Sequence, residues 1–199
     1  MEFTTRTMDR YPIVRTVRRL RIGEGELYKQ MRLASLRESP FAFSSTYESA
    51  VQRSPESWAE QADSTAQGSD RSTFIAFCGD VPIGIAALYR TGEGGDAGEL
   101  LQVWVAPEHR SQGVAVELMD AVFEWAGENG FRTVIATVKK GNGRAFRFYR
   151  KYGFNLAAGA SFDGPDDSIL TKEIRVEQAH ALGATDAPAD GINAADNNG

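Results

Sequence analysis

The alternation of apolar and polar positions is clearest between Gln112 and Gly127. Val114, Leu118, Met119, Val122 and Trp125 return at helical spacing, while Glu117, Asp120, Glu124 and Glu128 take the opposite side. That pattern predicts an amphipathic helix with one apolar stripe. The segments around it have no such period. Thr73 to Cys78 and Val81 to Tyr89 are apolar runs joined by Gly79-Asp80, which reads as a tight hairpin whose glycine supplies a positive φ. Pro82 then belongs at a sheet edge or at a strand start. Glu99 to Val105 is a further strand. Phe131 to Val138 carries almost no charge, so it is expected to be central and buried on both faces. Ser168 to Val176 supplies a last strand.

Toward the N-terminus, Ile13 to Ile22 alternates β-branched residues with arginine and reads as a first strand. Gly23-Glu-Gly opens a helix that runs to about Leu36, with Leu27, Met31 and Ala34 expected on its buried face. Ser39-Pro40 stops it. A second helix is expected from Ser54-Pro55-Glu56, with proline in its first turn and Trp58 on the packing side. Gln61 to Arg71 reads as polar loop. Arg90 to Gly98 holds four glycines and reads as a mobile hairpin loop. The order β-α-α-β-β-β-α-β-α-β predicts a mixed sheet covered by helices, an α/β (α+β) fold. Residues 11–176 form a single domain, with a flexible N-terminus at 1–10 and a disordered Ala, Asp, Asn and Gly tail at 177–199.

Composition narrows the classes. The 199 residues carry a net charge of −5, which argues against a general nucleic-acid binder and leans slightly toward a cationic partner. A single cysteine, Cys78, rules out an intrachain disulfide framework, and no Cys/His spacing suits zinc, so no metal is expected. No run approaches the roughly 18 apolar residues of a membrane span. The start of the chain has no apolar segment of a secretory signal. A cytoplasmic protein with no membrane partner is the expectation.

The candidate chemistry begins at Arg110-Ser-Gln-Gly-Val-Ala115, between the strand ending at Val105 and the helix of Val114 to Gly127. A small-residue turn feeding a helix N-terminus presents unpaired N–H groups and the positive end of the helix dipole to an anion. Gly113 has no Cβ and Ala115 only a methyl, so phosphates can approach the backbone, and Arg110 can add a charged contact. Alone, the same hexapeptide also serves simple packing. A second motif follows at Asn142-Gly-Arg-Ala145-Phe-Arg-Phe-Tyr149-Arg-Lys-Tyr-Gly153-Phe154, a short helix ended by glycine. Asn142 can be its N-cap.

Together, Arg-x-x-Gly-x-Ala after a strand and Asn-x-x-Ala-x-x-x-Tyr-x-x-x-Gly-Phe resemble the GNAT superfamily of acetyl-coenzyme A dependent N-acetyltransferases. The likeness runs from about Thr16 to Val176 and includes Pro40-Phe41-Ala42-Phe43. It implies a mixed, mostly antiparallel sheet of about six to seven strands flanked by about four helices. It also implies a V-shaped splay between strands 99–105 and 131–138, where the pantetheine arm lies. The family pattern assigns acetyl-CoA contacts to Arg110, Ser111, Gln112, Gly113, Val114 and Ala115, and to Asn142, Ala145 and Tyr149. A bulge before the turn would offer an N–H from Val103, Trp104 or Val105 to the thioester carbonyl.

The family role of Tyr149 is to protonate the departing thiolate; read from the helix alone, it is equally a core aromatic beside Phe146, Phe148 and Tyr152. Glu99 is the candidate base, acting directly or through water, with a solvated strand-edge carboxylate as the plain alternative and Glu93 and Asp96 as loop substitutes. His109 reads as solvated loop. Cys78 lacks an activating histidine pattern for a two-step acyl transfer.

The resemblance thus implies acetyl transfer from acetyl-CoA to a primary amine of a small molecule or peptide, by direct attack in a ternary complex. The competing reading is a non-catalytic acyl-CoA binding or sensing domain. No Gly-x-x-x-x-Gly-Lys-Ser/Thr and no Gly-x-Gly-x-x-Gly after a strand supports another nucleotide enzyme. Phe41 to Tyr47, Arg90 to Gly98 and Ala157 to Asp167 are the segments expected to choose the acceptor, and a homodimer through edge strands is compatible with the family.

Overall fold

The computed structural model describes residues 14–161 and 167–174. Its elements are β1 (Arg15–Arg19), α1 (Gly25–Glu38), α2 (Tyr47–Val51), α3 (Pro55–Ala66), β2 (Arg71–Cys78), β3 (Val81–Arg90), β4 (Ala97–Val105), α4 (Val114–Glu128), β5 (Thr133–Val138), α5 (Gly143–Tyr152), β6 (Asn155–Leu156) and β7 (Ser168–Glu173). Single 3-10 turns at Pro40–Ala42 and Pro107–His109 follow α1 and β4. The sheet has seven strands in the order β1-β2-β3-β4-β5-β7-β6. Every pairing is antiparallel except β4 with β5, which is parallel because the α4 crossover joins them.

The sheet separates two apolar cores. On one face, Val114, Leu118, Met119 and Val122 of α4 pack with Phe74, Leu88, Leu100, Val134, Phe154 and Leu170. On the other, Tyr28, Met31 and Leu36 of α1 and Trp58 and Ala62 of α3 pack over Ile75, Phe77, Ile85 and Trp104. The α4 stripe is the one its period predicts. The hairpin is also as expected: Cys78 stands opposite Val81, Gly79 has φ 60°, and Pro82 lies at the second position of β3 beside an irregularity in the ladder.

Several elements differ from the sequence pattern. The stretch read as polar loop from Gln61 continues α3 to Ala66, because Ala62 and Thr65 follow Trp58 on one buried face and the Thr65 hydroxyl donates to the Ala62 carbonyl at 2.9 Å. A short α2 is added, capped by Thr46 Oγ1 accepting from the Ser49 N–H at 3.2 Å. In α1 the buried face is Tyr28, Met31, Arg32, Ser35 and Leu36; Ala34 is exposed and Leu27 half-buried. β5 is not buried on both faces: Val134, Ala136 and Val138 are covered, whereas Thr137 is exposed, because α1 and α3 shield β2 to β4 and stop short of β5.

The glycine-rich turn after β3 is tied down by one side chain. The Arg90 guanidinium donates to Asp70, to the Gly95 carbonyl and, at 2.8 Å, to the Asn129 carbonyl, and it stacks 3.9 Å from the Phe131 ring centroid. The expected tails at 1–10 and 177–199 lie outside the described residues. No helix among the described residues is long and apolar enough to cross a membrane.

Gly25 is where α1 meets α3 most closely. A Cβ there would lie 2.8 Å from the Ala59 Cα, a backbone atom that cannot rotate away. Gly25→Val is therefore expected to part the helices and lower stability by about 1–3 kcal/mol. Urea unfolding checks this: the midpoint falls with little change in slope.

Candidate active site

The site originates where β4 and β5 part company. They pair from Ala97 opposite Thr133 to Leu100 opposite Ala136, and then pairing ends, although β4 continues to Val105. A bulge accompanies the parting. Ala87 stands opposite Leu101 and Ile85 opposite Trp104, so two steps on β3 face three on β4. The additional residue is taken up at Gln102, whose φ is 59°. Gln102 and Val103 consequently have no opposite residue on either neighbouring strand. Extra residues of this kind bend a strand and increase its twist.

Into the wedge opens a cavity of 670 Å³. Its walls are Val103, Trp104 and Val105 of β4, the turn at His109, Arg110, Ser111 and Gly113, Ala115 and Val116 of α4, and Asn142, Arg144, Ala145, Phe148, Tyr149, Lys151 and Tyr152 around α5. Ser39, Ala42 and Phe43 after α1 complete the rim. Most of the residues picked out from the two motifs thus meet on one surface, although the motifs are a whole helix and strand apart in the chain.

The turn before α4 has the features of an anion cradle. Ser111 has φ 62° and Gly113 φ 92°, both in the left-handed region. The N–H groups of Ser111, Gln112, Gly113, Val114 and Ala115 find no acceptor among the described residues, the first turn bond being Val116 N–H to the Gly113 carbonyl at 2.9 Å. Consecutive free amides in this conformation form a concave positive surface. Gln112 and Val114 contribute only backbone: the Gln112 amide donates to the Glu108 carbonyl at 2.8 Å, and the Val114 side chain is in the core.

The Arg110 side chain borders the cavity and also has protein partners. Its Nε donates to the Val105 carbonyl at 2.8 Å, and its Nη atoms form a fork with the Glu38 carboxylate at the end of α1. Glu38 also accepts from the Trp104 indole N–H at 2.9 Å. The hydrogen bond from Arg110 lowers the Glu38 pKa from 4.5 to about 2. In this structure the cradle's positive potential therefore comes from backbone amides, while Arg110 locks α1 to β4.

Across the cavity, Asn142 caps α5, with Oδ1 accepting from the Ala145 N–H at 3.1 Å. Its side-chain NH₂ has no acceptor among the described residues, and Asn142 borders the cavity. The tyrosines of α5 are distinguished by their partners: Tyr152 donates to Asp120 at 2.7 Å, whereas the Tyr149 hydroxyl has no hydrogen-bond partner among the described residues and borders the cavity. The Tyr149 ring is 8% exposed, held by Phe148 and Phe154, and burial raises its pKa above the ordinary phenol value. Glu99 does not line the cavity. It lies one residue before the parting point, opposite Tyr89 and Ile135. Cys78, at the end of β2, is also absent from the walls.

With this geometry in view, comparison with known proteins is decisive at the level of family. Residues 34–154 match the sequence model of the Acetyltransferase (GNAT) family. The chain belongs to the GNAT acetyltransferase family. Its fold is shared with a GNAT-family acetyltransferase from Streptococcus pneumoniae (20% identity, TM-score 0.66, covering 81% of this chain and 100% of that one). It is shared also with PaiA N-acetyltransferase from Thermoplasma acidophilum in complex with coenzyme A (21%, TM-score 0.65, 80% and 99%). A third is spermidine N-acetyltransferase from Vibrio cholerae in complex with CoA and spermine (17%, TM-score 0.63, 80% and 95%). No curated protein matches the chain significantly.

The GNAT cleft has walls that sequence reasoning passed over. Arg144, Phe148, Lys151 and Tyr152 follow one another at helical spacing on the same side of α5 as Ala145 and Tyr149, a signal available in the pattern. His109, read as solvated loop, borders the cavity half-buried. Glu38 had no signal, since it reaches Arg110 only through folding. No group of three or more His, Cys, Asp or Glu residues is placed to hold a metal among the described residues.

A carboxyl held below its unfolded pKa contributes stability that is complete above the unfolded value and is lost as pH falls through the folded one. For Glu38 that window runs from pH 4.5 down to about 2. Glu38→Gln is expected to remove this part of the acid dependence, leaving a shallower decline of melting temperature below pH 4.5 than in the parent protein.

Proposed function

We propose that the protein is an N-acetyltransferase that moves an acetyl group from acetyl-CoA to a primary amine by direct attack within a ternary complex. The observation that carries this reading is the free Tyr149 hydroxyl on a cavity wall whose opposite end is the turn of unaccepted amides at 111–115. The residues present fit the cofactor: free N–H groups and a helix N-terminus suit the diphosphate, and the Asn142 side chain offers a donor to the pantetheine arm. The coenzyme A and spermine in solved GNAT relatives support this choice of ligand class.

The chemistry follows from the arrangement. The cofactor supplies an activated acyl thioester; the protein's residues do the rest. The bulge at Gln102 and Val103 leaves backbone without a strand partner beside the cavity, and the Val103 N–H is the donor for the thioester oxygen as charge develops there. The amine nitrogen forms the C–N bond as the C–S bond breaks. Tyr149 gives its proton to the departing sulfur, and the proton of the amine leaves through solvent toward Glu99, which stands just before the parting of β4 and β5. Burial raises the pKa of a phenol and of a thiol alike. The transfer from Tyr149 therefore remains matched inside the cleft, and at neutral pH the hydroxyl is fully protonated.

Tyr149→Phe is expected to lower kcat by about 10² to 10⁴ while leaving the Kd for acetyl-CoA unchanged. Gly113→Val forces a branched residue into a left-handed conformation, at a cost of about 1–3 kcal/mol, and places its side chain over the cradle. Acetyl-CoA affinity is expected to fall about tenfold or more while Tyr149 chemistry persists at saturation. Initial-rate kinetics with an amine panel test the whole reading. Intersecting lines mark a ternary complex, parallel lines a covalent acetyl-enzyme, and acetyl-CoA binding with no turnover on any amine a sensing domain. Because burial raises the Tyr149 pKa, kcat should show no alkaline fall as pH approaches 10.

A further inference from the structure

The back of the β4 bulge faces a cluster of polar side chains beside α1 and α3 that the acyl chemistry does not use. Gln102 donates from Nε2 to the Tyr28 hydroxyl at 3.0 Å, and its other amide atom, although buried, has no partner. One helical turn along α1, Arg32 is 7% exposed. Its Nη1 donates to Ser35 Oγ at 3.2 Å, its guanidinium sits 4.5 Å from the Phe43 ring centroid, and none of the ion pairs among the described residues includes it. Arg53 beside it stacks on Trp58 at 3.9 Å and hydrogen-bonds only to Ser57. The Trp58 ring lies edge-on to Tyr28 at 5.6 Å between centroids, so Arg53, Trp58, Tyr28 and Gln102 are linked by successive contacts.

Other arginines in the interior rim are balanced: Arg18 by Glu24, Arg110 by Glu38, and Arg19 by the carbonyls of Thr65, Gln67, Gly68 and Arg71. Arg32 and Arg53 are the exceptions, and of the two Arg32 is the buried one. A buried cation without a counter-charge is costly, and burial lowers its pKa accordingly. Phe43, which covers it, is also on the rim of the acyl cavity. The cluster therefore adjoins the rim of the cavity, the side from which an acceptor can approach. Its aromatic walls, Tyr28, Phe43 and Trp58, favour a monoanion over a more strongly hydrated dianion, and the planar guanidinium fork matches two oxygens.

We propose that Arg32, with Arg53 and Tyr28 beside it, binds a carboxylate on the acceptor, so that the substrate is a compact amine bearing a carboxylate, of amino-acid size, rather than a polyamine. The span is short: Tyr28 touches the bulge residue, and Arg32 is one turn, about 5–6 Å, further along the helix. This rests on the acetyl-transfer reading and names its acceptor class. Local charge overrides the acidic balance of the chain as a whole.

The experiment uses the full chain with coenzyme A present. The probes are the protein amino acids, their carboxamide counterparts, phosphoethanolamine and spermidine, read by thermal shift and calorimetry, and by thiol release with acetyl-CoA. At least one free amino acid is expected to bind and react about tenfold or more better than its carboxamide. Arg32→Met is expected to erase that difference while leaving the calorimetric Kd for acetyl-CoA unchanged and the fold as stable or more so, since an uncompensated buried charge is removed. If Arg32→Met does not fold, Arg32→Lys keeps the charge without the fork and is expected to retain a weakened preference.

Carboxamides or spermidine binding as well as the free acids, a response to phosphoethanolamine alone, or an intact preference in Arg32→Met overturns the proposal. Carboxylate discrimination without any acetyl-CoA binding upholds the pocket and strikes the transferase reading alone.

Discussion

One residue too many in β4 organises the functional half of this protein. Between Leu101 and Trp104 the strand carries a position that β3 cannot match, and Gln102 absorbs it at a left-handed φ of 59°. β5 is short, and its pairing with β4 ends at Leu100 and Ala136. Unpaired main chain inside a sheet is normally avoided because its polar groups need partners. Here the gap opens the cavity on one side and brings Gln102 against Tyr28 on the other. The bulge thus joins the cleft to the proposed acceptor pocket through adjacent residues of a single strand.

The rest of the fold keeps that wedge from closing. α4 buries an uninterrupted stripe against β2 to β4, which positions its N-terminus, and so the free amides of 111–115, at the wide end of the gap. α5 crosses the far wall, capped by Asn142 at one end and by Gly153 with φ 101° at the other, with Tyr149 wedged between Phe148 and Phe154. On the opposite face, the Glu38 carboxylate gathers Arg110 and the Trp104 indole. That three-way contact ties the end of α1 to both the bulged strand and the cradle.

The two proposed anion sites differ in electrostatic character. The cradle uses main-chain donors and a helix dipole, which bind charge without carrying a full charge of their own. The pocket at Arg32 uses a whole cation held out of water, which is tolerable in a stable fold when a counter-charge arrives with the ligand. In the proposed reaction the acceptor's carboxylate is held at Arg32 while its amine meets the thioester beside the bulge.

Much of this was readable from residue order. The α4 period, the Gly79-Asp80 hairpin, the small residues at 113 and 115 and the Asn142-to-Gly153 helix depend on neighbours within a few positions, where spacing and backbone preference are decisive. The helical continuation at Gln61 to Ala66 was hidden by its polar residues, which lie on the solvent side of a helix whose inner face holds only Ala62 and Thr65 after Trp58. The exposure of one face of β5 follows from where helices on other parts of the chain stop. Tertiary structure alone decided which tyrosine of α5 has a free hydroxyl, that Arg110 pairs with Glu38, and that Arg32 is left without a carboxylate. Those outcomes are set by partners that are distant along the chain, and a charge or hydroxyl acquires its role only when folding decides what stands within hydrogen-bonding distance of it.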